Sequence, residues 1–257
     1  MKMKPLFREK IKVSLLFLLL PVFLPAQNTD YYKWNLQGKV NTIKETSYRV
    51  IEKNGEIVKD GAEYYFINEF NDAGNKTVDT KYGIDGKILK NYTYKYDDKN
   101  RRIEEVQYIN DKELLRTIGY VYDSQGLLIE DESFGSNGET ETLIKFTYDK
   151  EGNIIEDNSF DKDGNLKKRF TYAYDENKLK TENKRYDATG IFEKRITYSY
   201  DSHQNLIEER SFKSDNSLNG IITFTYVYDS RNNWIVKTKF IDGKAVNMLE
   251  REIKYYD

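Results

Sequence analysis

Cysteine is absent from this chain of 257 residues, so disulfide bridges and thiolate metal sites cannot form. Proline occurs only as Pro5, Pro21 and Pro25, which leaves the rest of the chain without it. Because proline cannot donate to a sheet ladder, this absence favours a chain that is mostly paired strand. Histidine occurs once, as His203, in a turn sequence where we expect it to be solvated. The usual thiol and imidazole pairs of covalent catalysis are therefore lacking.

The whole chain has a formal net charge of −2, and removal of the first 26 residues, which carry five basic residues and one acid, leaves a remainder of about −6. Nucleic-acid binding depends mainly on neutralising phosphates, so this balance argues against a nucleic-acid partner. The 22 tyrosines and 13 phenylalanines are the opposite extreme of the composition. Aromatic side chains suit a pleated, half-buried surface, which again indicates strands.

The first 26 residues have the pattern of a secretory signal peptide. Basic residues from Lys2 to Lys12 precede an apolar run over 13–23, and Ala26 ends the segment. That run is shorter than the roughly 20 residues of a membrane-spanning helix. We predict cleavage near Ala26 and export to the periplasm, the cell surface or the medium, with no transmembrane segment in the mature chain.

One short phrase, an aromatic residue followed by an acid or its amide, recurs along the chain from Phe70 to Tyr256 at intervals of 26 and then 28 residues. A fixed period of this kind indicates tandem copies of one structural unit. The tyrosines that we take as structural anchors of the repeat are Tyr96, Tyr122, Tyr148, Tyr174, Tyr200 and Tyr228.

Each unit has the pattern of two antiparallel strands. Large side chains stand at the anchor and at two and four residues before it, which is the period of a strand. Asp, Gly and Asn after the anchor, and Asp-Gly or Asn-Gly later in the unit, indicate two tight turns. Mostly isoleucine stands seven residues after the anchor, and an aromatic stands twelve after it. Because these positions are an odd number of residues apart, their side chains either lie on opposite faces of the strand or are brought to one face by a bulge.

The sequence therefore predicts an all-β fold of tandem hairpins, about 26 residues each, over residues 64–257. We expect an elongated meander sheet or a β-solenoid, preceded by a divergent cap over residues 27–63. The last strand would be a free edge, protected by the charges of Glu250, Arg251, Glu252 and Lys254.

The phrases at 122–126, 148–153 and 172–175 resemble the YD repeat of RHS-type exported bacterial proteins. The resemblance covers roughly residues 64–257. It implies an exported all-β repeat array that serves as a wall, scaffold or binding surface. The unit here is longer than the usual RHS repeat and the array is too short to enclose a shell, so encapsulation does not carry over.

No residue pattern predicts a catalytic, cofactor-binding or metal site. Acidic pairs such as Glu104-Glu105 and Glu156-Asp157 recur at one repeat position, but neighbours on a strand point to opposite faces. They indicate a charge ladder rather than the facing carboxylates of a glycosidase. The stretch 161–165 lacks the glycine and glutamate positions of a calcium loop, so we interpret it as a turn, although weak calcium binding there stays open.

The leading hypothesis is a non-enzymatic exported protein that binds another protein or acts as a scaffold in the cell envelope. The alternative is a carbohydrate-binding module that uses aromatics between repeats. An outer-membrane barrel is disfavoured, because Glu208, Glu209 and Arg210 place charge on both faces of a strand. The candidate ligand-binding aromatics are Tyr94, Tyr120, Tyr172, Tyr198 and Tyr226.

Overall fold

The computed structural model describes residues 29–256, so the predicted signal peptide lies outside the described residues. A four-residue helix, α1 (Asp30–Lys33), is followed by sixteen strands, which confirms the all-β prediction. The strands are β1 (Val40–Lys53), β2 (Glu56–Phe70), β3 (Lys76–Gly83), β4 (Ile88–Tyr96), β5 (Arg102–Ile109), β6 (Glu113–Tyr122), β7 (Leu128–Gly135), β8 (Thr140–Tyr148), β9 (Ile154–Phe160), β10 (Leu166–Tyr174), β11 (Lys180–Asp187), β12 (Phe192–Tyr200), β13 (Leu206–Lys213), β14 (Leu218–Tyr228), β15 (Trp234–Ile241) and β16 (Lys244–Tyr255).

The sheet closes into a barrel, so the predicted elongated meander or solenoid is wrong. Consecutive strands pair antiparallel as expected, but β16 also pairs with β1, from Val40 opposite Tyr255 to Tyr48 opposite Met248. The last strand is therefore not an edge. Three of the four charges expected to protect that edge instead pair with side chains of the barrel: Arg251 with Glu45 at 2.9 Å, Glu252 with Lys44 at 2.7 Å, and Glu250 with Lys59.

Regular bulges give the wall its curvature. At the start of β5, Tyr96 lies opposite Arg102 and Lys95 opposite Glu104, so Ile103 has no ladder partner. The same irregularity recurs in every unit, which settles the odd offset in the sequence as a bulge. Bulges bend and twist a sheet, and their repetition favours closure over a flat array. The bulged residues are Thr77, Ile103, Ile129, Ile155, Thr181, Ile207 and Ile235.

The turns after the anchors follow the predicted chemistry. In the turn between β8 and β9, Asp149 accepts hydrogen bonds from the backbone N–H groups of Glu151 and Asn153, at 3.0 and 2.8 Å. Asp97, Asp123, Asp175, Asp201 and Asp229 accept the equivalent pair in their own turns. An Asp side chain that bonds its own backbone two residues on fixes such a reversal without help from the sheet.

Five of the predicted anchors bond to the strand that precedes them. The hydroxyl of Tyr148, for example, donates to the carbonyl of Leu128 at 2.6 Å. Tyr96, Tyr122, Tyr174 and Tyr200 donate to the carbonyl that lies the same number of residues earlier, at 2.7 to 2.9 Å. In the last of these units Tyr226, rather than the predicted Tyr228, makes this bond, to Leu206 at 2.7 Å, because β14 is two residues longer.

Residues 29–38 cover the end of the barrel where these anchors lie. The indole of Trp34 and the ring of Tyr31 pack on Phe70, and Leu36, Val40 and Ile43 complete the small buried core. We call this end the plugged end. The end formed by the Asp-Gly and Asn-Gly turns is called the open end, because no segment of residues 29–256 crosses it.

We expect Tyr148→Phe to lower the free energy of unfolding by about 1 kcal/mol, because it deletes one hydrogen bond and keeps the ring. Urea unfolding followed by circular dichroism measures the change. Tyr108→Phe is the matched control, since the Tyr108 hydroxyl has no hydrogen-bond partner within residues 29–256. Equal stability of the two variants would contradict a structural role for the anchors.

Candidate functional site

The lumen is lined by alternate residues of every strand. On β4 the rings of Tyr92, Tyr94 and Tyr96 face inward and are half-buried, whereas Lys95 between them is exposed on the outer wall. Strands contact chiefly their two neighbours around the barrel, so opposite walls stay apart and enclose a space. Barrels of sixteen strands are wide enough to leave an aqueous interior. The lumen is therefore the candidate binding site.

All five candidate ligand-binding tyrosines face the lumen, but most of their hydroxyls are already bonded. Tyr94 donates to Asp79 and Tyr120 to Glu105, both at 3.2 Å, and Tyr172 donates to Asp157. Tyr226 makes the carbonyl bond described above. The ring of Tyr198 lies 4.8 Å from the ammonium of Lys180. Cations of the protein already lie over other rings of this set, as Arg102 does over Tyr94 at 4.2 Å and Lys180 over Tyr172 at 5.4 Å. A ligand could therefore meet the Tyr198 hydroxyl and those ring faces that no cation covers.

A belt of polar groups surrounds the lumen at one level, one from each unit. Each member stands nine residues after an anchor. The strand register places it opposite the residue two before that anchor, as Glu105 lies opposite Tyr94. The acidic pairs seen in the sequence divide as expected, because Glu104 faces outward to Lys95 at 2.6 Å while Glu105 faces inward. The members of this belt are Asp79, Glu105, Asp131, Asp157, Asn183, Glu209 and Lys237.

Asp131 and Glu209 differ from the other acids of the belt, because neither carboxylate makes a hydrogen bond or ion pair within residues 29–256. The tyrosine donor of Asp131 is replaced by Phe146, which occupies the position of Tyr94 and Tyr172 in its own unit. Burial, together with the negative charges of Asp157 and Glu105, raises the pKa of Asp131 to about 6. The group therefore changes charge near neutral pH.

At the plugged end a buried charge network holds α1 in place. Asp30 accepts from the backbone N–H of Lys76 at 2.9 Å and from the Tyr96 hydroxyl at 2.8 Å, and it pairs with Arg102 at 2.8 Å. Burial alone would raise the pKa of Asp30, but Arg102 and the two hydrogen bonds more than offset it and lower that pKa. Sequence reasoning missed this residue, because nothing in the repeat marks a segment outside it.

The same segment reaches strands on the other side of the barrel. The amide of Asn35 donates to the carbonyl of His203 at 2.6 Å, and Gln37 exchanges two hydrogen bonds of 2.8 Å with Asn233. The ring of Tyr31 lies so close to Gly74 that a Cβ there would clash with it, and Gly74 also has a positive φ of 82°. His203 itself is exposed and stacks on Tyr228 at 4.3 Å.

Toward the open end the lumen becomes basic. The next inward position along the odd-numbered strands holds Lys81, Gln107, Ser133, Ser159, Arg185, Ser211 and Lys239. The residues opposite them on the even-numbered strands include Lys90, Arg116, Lys168 and Lys194. The lumen thus has acidic groups at mid-height and cations with hydroxyls near its open end.

Among residues 29–256, no group of three or more His, Asp or Glu side chains is placed to hold a metal ion. No helix in that range is long and apolar enough to cross a membrane.

No protein-family model matches the chain, and no curated protein matches its sequence. A crystal structure of a porin-like protein from Bacteroides uniformis is 14% identical, covers 85% of this chain and 98% of its own, and superposes with a TM-score of 0.57. A porin-like protein from Bacteroides vulgatus is 13% identical over 84% of this chain and 98% of its own, with a TM-score of 0.37. The first similarity shows the barrel fold, and the second carries no argument.

No family model supports the YD-repeat resemblance, which stays a prediction. The TcdB2-TccC3-Cdc42 complex is 14% identical over 79% of this chain and 11% of its own, with a TM-score of 0.32, which is too low to support an argument.

We expect Asp131→Asn to stabilise the protein at pH 7 by about 1 kcal/mol, an amount reduced for solvent screening. A carboxyl whose pKa is raised on folding loses stability as pH rises from its unfolded value of about 4 through about 6. Unfolding free energies measured between pH 4 and pH 8 should converge for the two proteins at the acidic end. A constant difference across that range would contradict the assignment.

We expect Asp30→Asn to destabilise the protein by about 3 kcal/mol at pH 7, because Arg102 loses its buried partner. A carboxylate with a lowered pKa stabilises above the unfolded value of about 4, and that stability is lost as pH falls further. The difference from the wild type should therefore shrink below pH 4. Asp98→Asn, at an exposed turn position, is the control and should leave stability unchanged.

Proposed function

We propose that this chain is an exported, non-enzymatic binding protein of the cell envelope, whose barrel stands in water and receives its ligand in the lumen. The observation that carries the proposal is the distribution of charge on the two faces of the wall. The outer face is charged around the barrel, whereas the inner face carries the aromatics at the anchors and at two and four residues before them, together with a separate set of polar groups.

The outer wall carries ion pairs between neighbouring strands. Lys95 pairs with Glu104 at 2.6 Å, Arg195 with Glu182 at 3.4 Å, and Lys44 with Glu252 at 2.7 Å. Arg169 and Glu156 lie 3.7 Å apart on a further pair of strands. A membrane barrel needs an apolar outward band about 25 Å tall, and each Lys or Arg at its midplane costs about 2–4 kcal/mol. A wall with these side chains is stable in water.

The closed wall also restricts the partner. Every strand is hydrogen-bonded on both sides, so a peptide cannot add to a sheet edge. A ligand in the lumen must therefore be held by side chains, namely the faces of aromatic rings, hydroxyls and charges. This chemistry suits a glycan better than an extended peptide and favours the carbohydrate-binding alternative over protein contact.

An outer-membrane pore is the second candidate, favoured by one observation besides the closed barrel. The residues twelve after each anchor form an aromatic ring on the outer wall near the open end, and membrane barrels carry such girdles at both interfaces. Here the ring is found at one end. Its members are Tyr82, Tyr108, Phe134, Phe160, Tyr186, Phe212 and Phe240.

The two candidates differ in the solvent that the outer wall needs. We expect residues 27–257, expressed and refolded without detergent, to give a monodisperse protein with strand-rich circular dichroism. Full-length protein in a bacterial host should be released by osmotic shock or recovered from the medium. Folding that requires detergent micelles, or recovery only from the outer-membrane fraction, would overturn the proposal in favour of a pore.

A further inference from the structure

The open end of the lumen contains lysines placed directly opposite one another. Lys81 of β3 faces Lys90 of β4 across the ladder, and Lys194 of β12 faces both Arg185 of β11 and Lys213 of β13. Like charges directly opposite on neighbouring strands destabilise a sheet. Burial and the charge of Lys90 lower the pKa of Lys81, which shows that the first pair is close enough to interact.

Acids of the protein neutralise other cations at this end but leave these lysines. Arg116 pairs with Glu141 at 2.9 Å, while Glu193 pairs with Lys168 at 2.8 Å and with Arg185 at 2.6 Å. Within residues 29–256, no ion pair reaches Lys81, Lys90, Lys194 or Lys213, although the more distant charges of Glu63 and Asp215 act on Lys81 and Lys213. The fold thus carries two groups of lysines without an ion-pair partner, which we call the β3–β4 lysines and the β12–β13 lysines.

These two groups lie on nearly opposite sides of the mouth. In the strand order, eight strand steps separate β4 from β12 in one direction and six separate β3 from β13 in the other. Lys90 and Lys213 are exposed although they belong to the inward set, so solvent reaches both groups through the open end. One anion could satisfy one group only, whereas a chain of anionic groups can reach both.

We propose that the open end binds an acidic polysaccharide, with carboxylate or sulfate groups on the β3–β4 and β12–β13 lysines and sugar rings over the aromatics below them. This inference rests on the lumen-binding function proposed above and names its ligand class. Anions that bridge the opposed lysines remove the repulsion within each pair. The hydroxyls of Ser133, Ser159 and Ser211 stand between the cations and match the hydroxyls of a sugar.

The experiment measures binding of the purified mature protein to polygalacturonate and chondroitin sulfate by calorimetry at low and moderate salt. Dextran serves as the neutral sugar and poly-glutamate as the acidic peptide. Three double variants are compared with the wild type: Lys81→Gln with Lys90→Gln, Lys194→Gln with Lys213→Gln, and, as a control of equal net charge on the outer wall, Lys95→Gln with Lys145→Gln.

We expect each mouth variant to weaken binding of an acidic polysaccharide about tenfold or more, which corresponds to the loss of one or two charged contacts, and the outer-wall control to change it less than about twofold. The mouth variants relieve like-charge repulsion, but Lys81→Gln also removes the ammonium that lies 3.5 Å from the centre of the Tyr64 ring, so urea unfolding of every variant is measured beside its affinity. A loss of affinity at a temperature where the variant is fully folded is then a loss of ligand contacts.

Equal weakening by the outer-wall control would overturn the proposal, because it would show that attraction depends on net charge. Preference for poly-glutamate would assign the mouth to an acidic peptide and would also overturn it. Binding of dextran alone, with no effect of the lysine variants, would leave the lumen-binding function standing and reject the acidic ligand. Folding only in detergent would reject the lumen-binding function itself.

Discussion

The pairing of β1 with β16 is the interaction on which the rest of the structure depends. Without it the chain would be a row of hairpins with two unpaired edges and most of its aromatics on one solvent-exposed face. With it, that face becomes the inner surface of a closed wall, and the N-terminal segment can be held between strands that are distant in sequence, as Asp30 is by Arg102. Closure also removes edges that would otherwise invite pairing with other chains.

Each repeat contains one feature that bends the sheet and another that holds the bent strands together. Each unit contains bulges that leave residues such as Ile129 without a ladder partner and bend the strand pair. Tyrosine hydroxyls then tie neighbouring strands together at the plugged end, as Tyr148 does with Leu128. Curvature is therefore introduced at two bulges per unit, and the bulge at the plugged end lies beside the tyrosine bond that fixes it. Few side chains are fully buried, so the ladder and these ties carry much of the stability.

The sequence predicts the local part of this fold well, because that part depends on contacts within one unit. The period, the hairpins, the Asp-centred turns such as that of Asp149 and the common face of the tyrosines all follow from spacing and turn chemistry. Closure does not, since the pairing of Tyr48 with Met248 joins residues at opposite ends of the chain, and no local pattern encodes it. The alternation of side chains along a strand predicted that Glu104 and Glu105 lie on opposite faces of the sheet. It could not predict which of the two faces would line the lumen.

The candidate site shows the same division between local and distant contacts. The tyrosines at the lumen were identified from the period, yet the lysines at its mouth became meaningful only through the register that places Lys194 opposite Lys213. Asp30 and Asn35 could not be anticipated at all, because their partners are on strands that only the closed barrel brings near them.

The N-terminal segment has a further consequence for how the number of repeats in this chain can change in evolution. It is bonded to Arg102 on one side of the wall and to Asn233 on another, so it spans the plugged end between two points whose separation its length sets. In an open repeat array a unit can be gained or lost with little effect on its neighbours. Here an added hairpin would make the barrel too wide for the N-terminal segment to span, and a lost hairpin would make it too narrow. The number of repeats is therefore fixed by the width of the barrel, and a duplication that an open array would tolerate should prevent this segment from binding both sides of the wall.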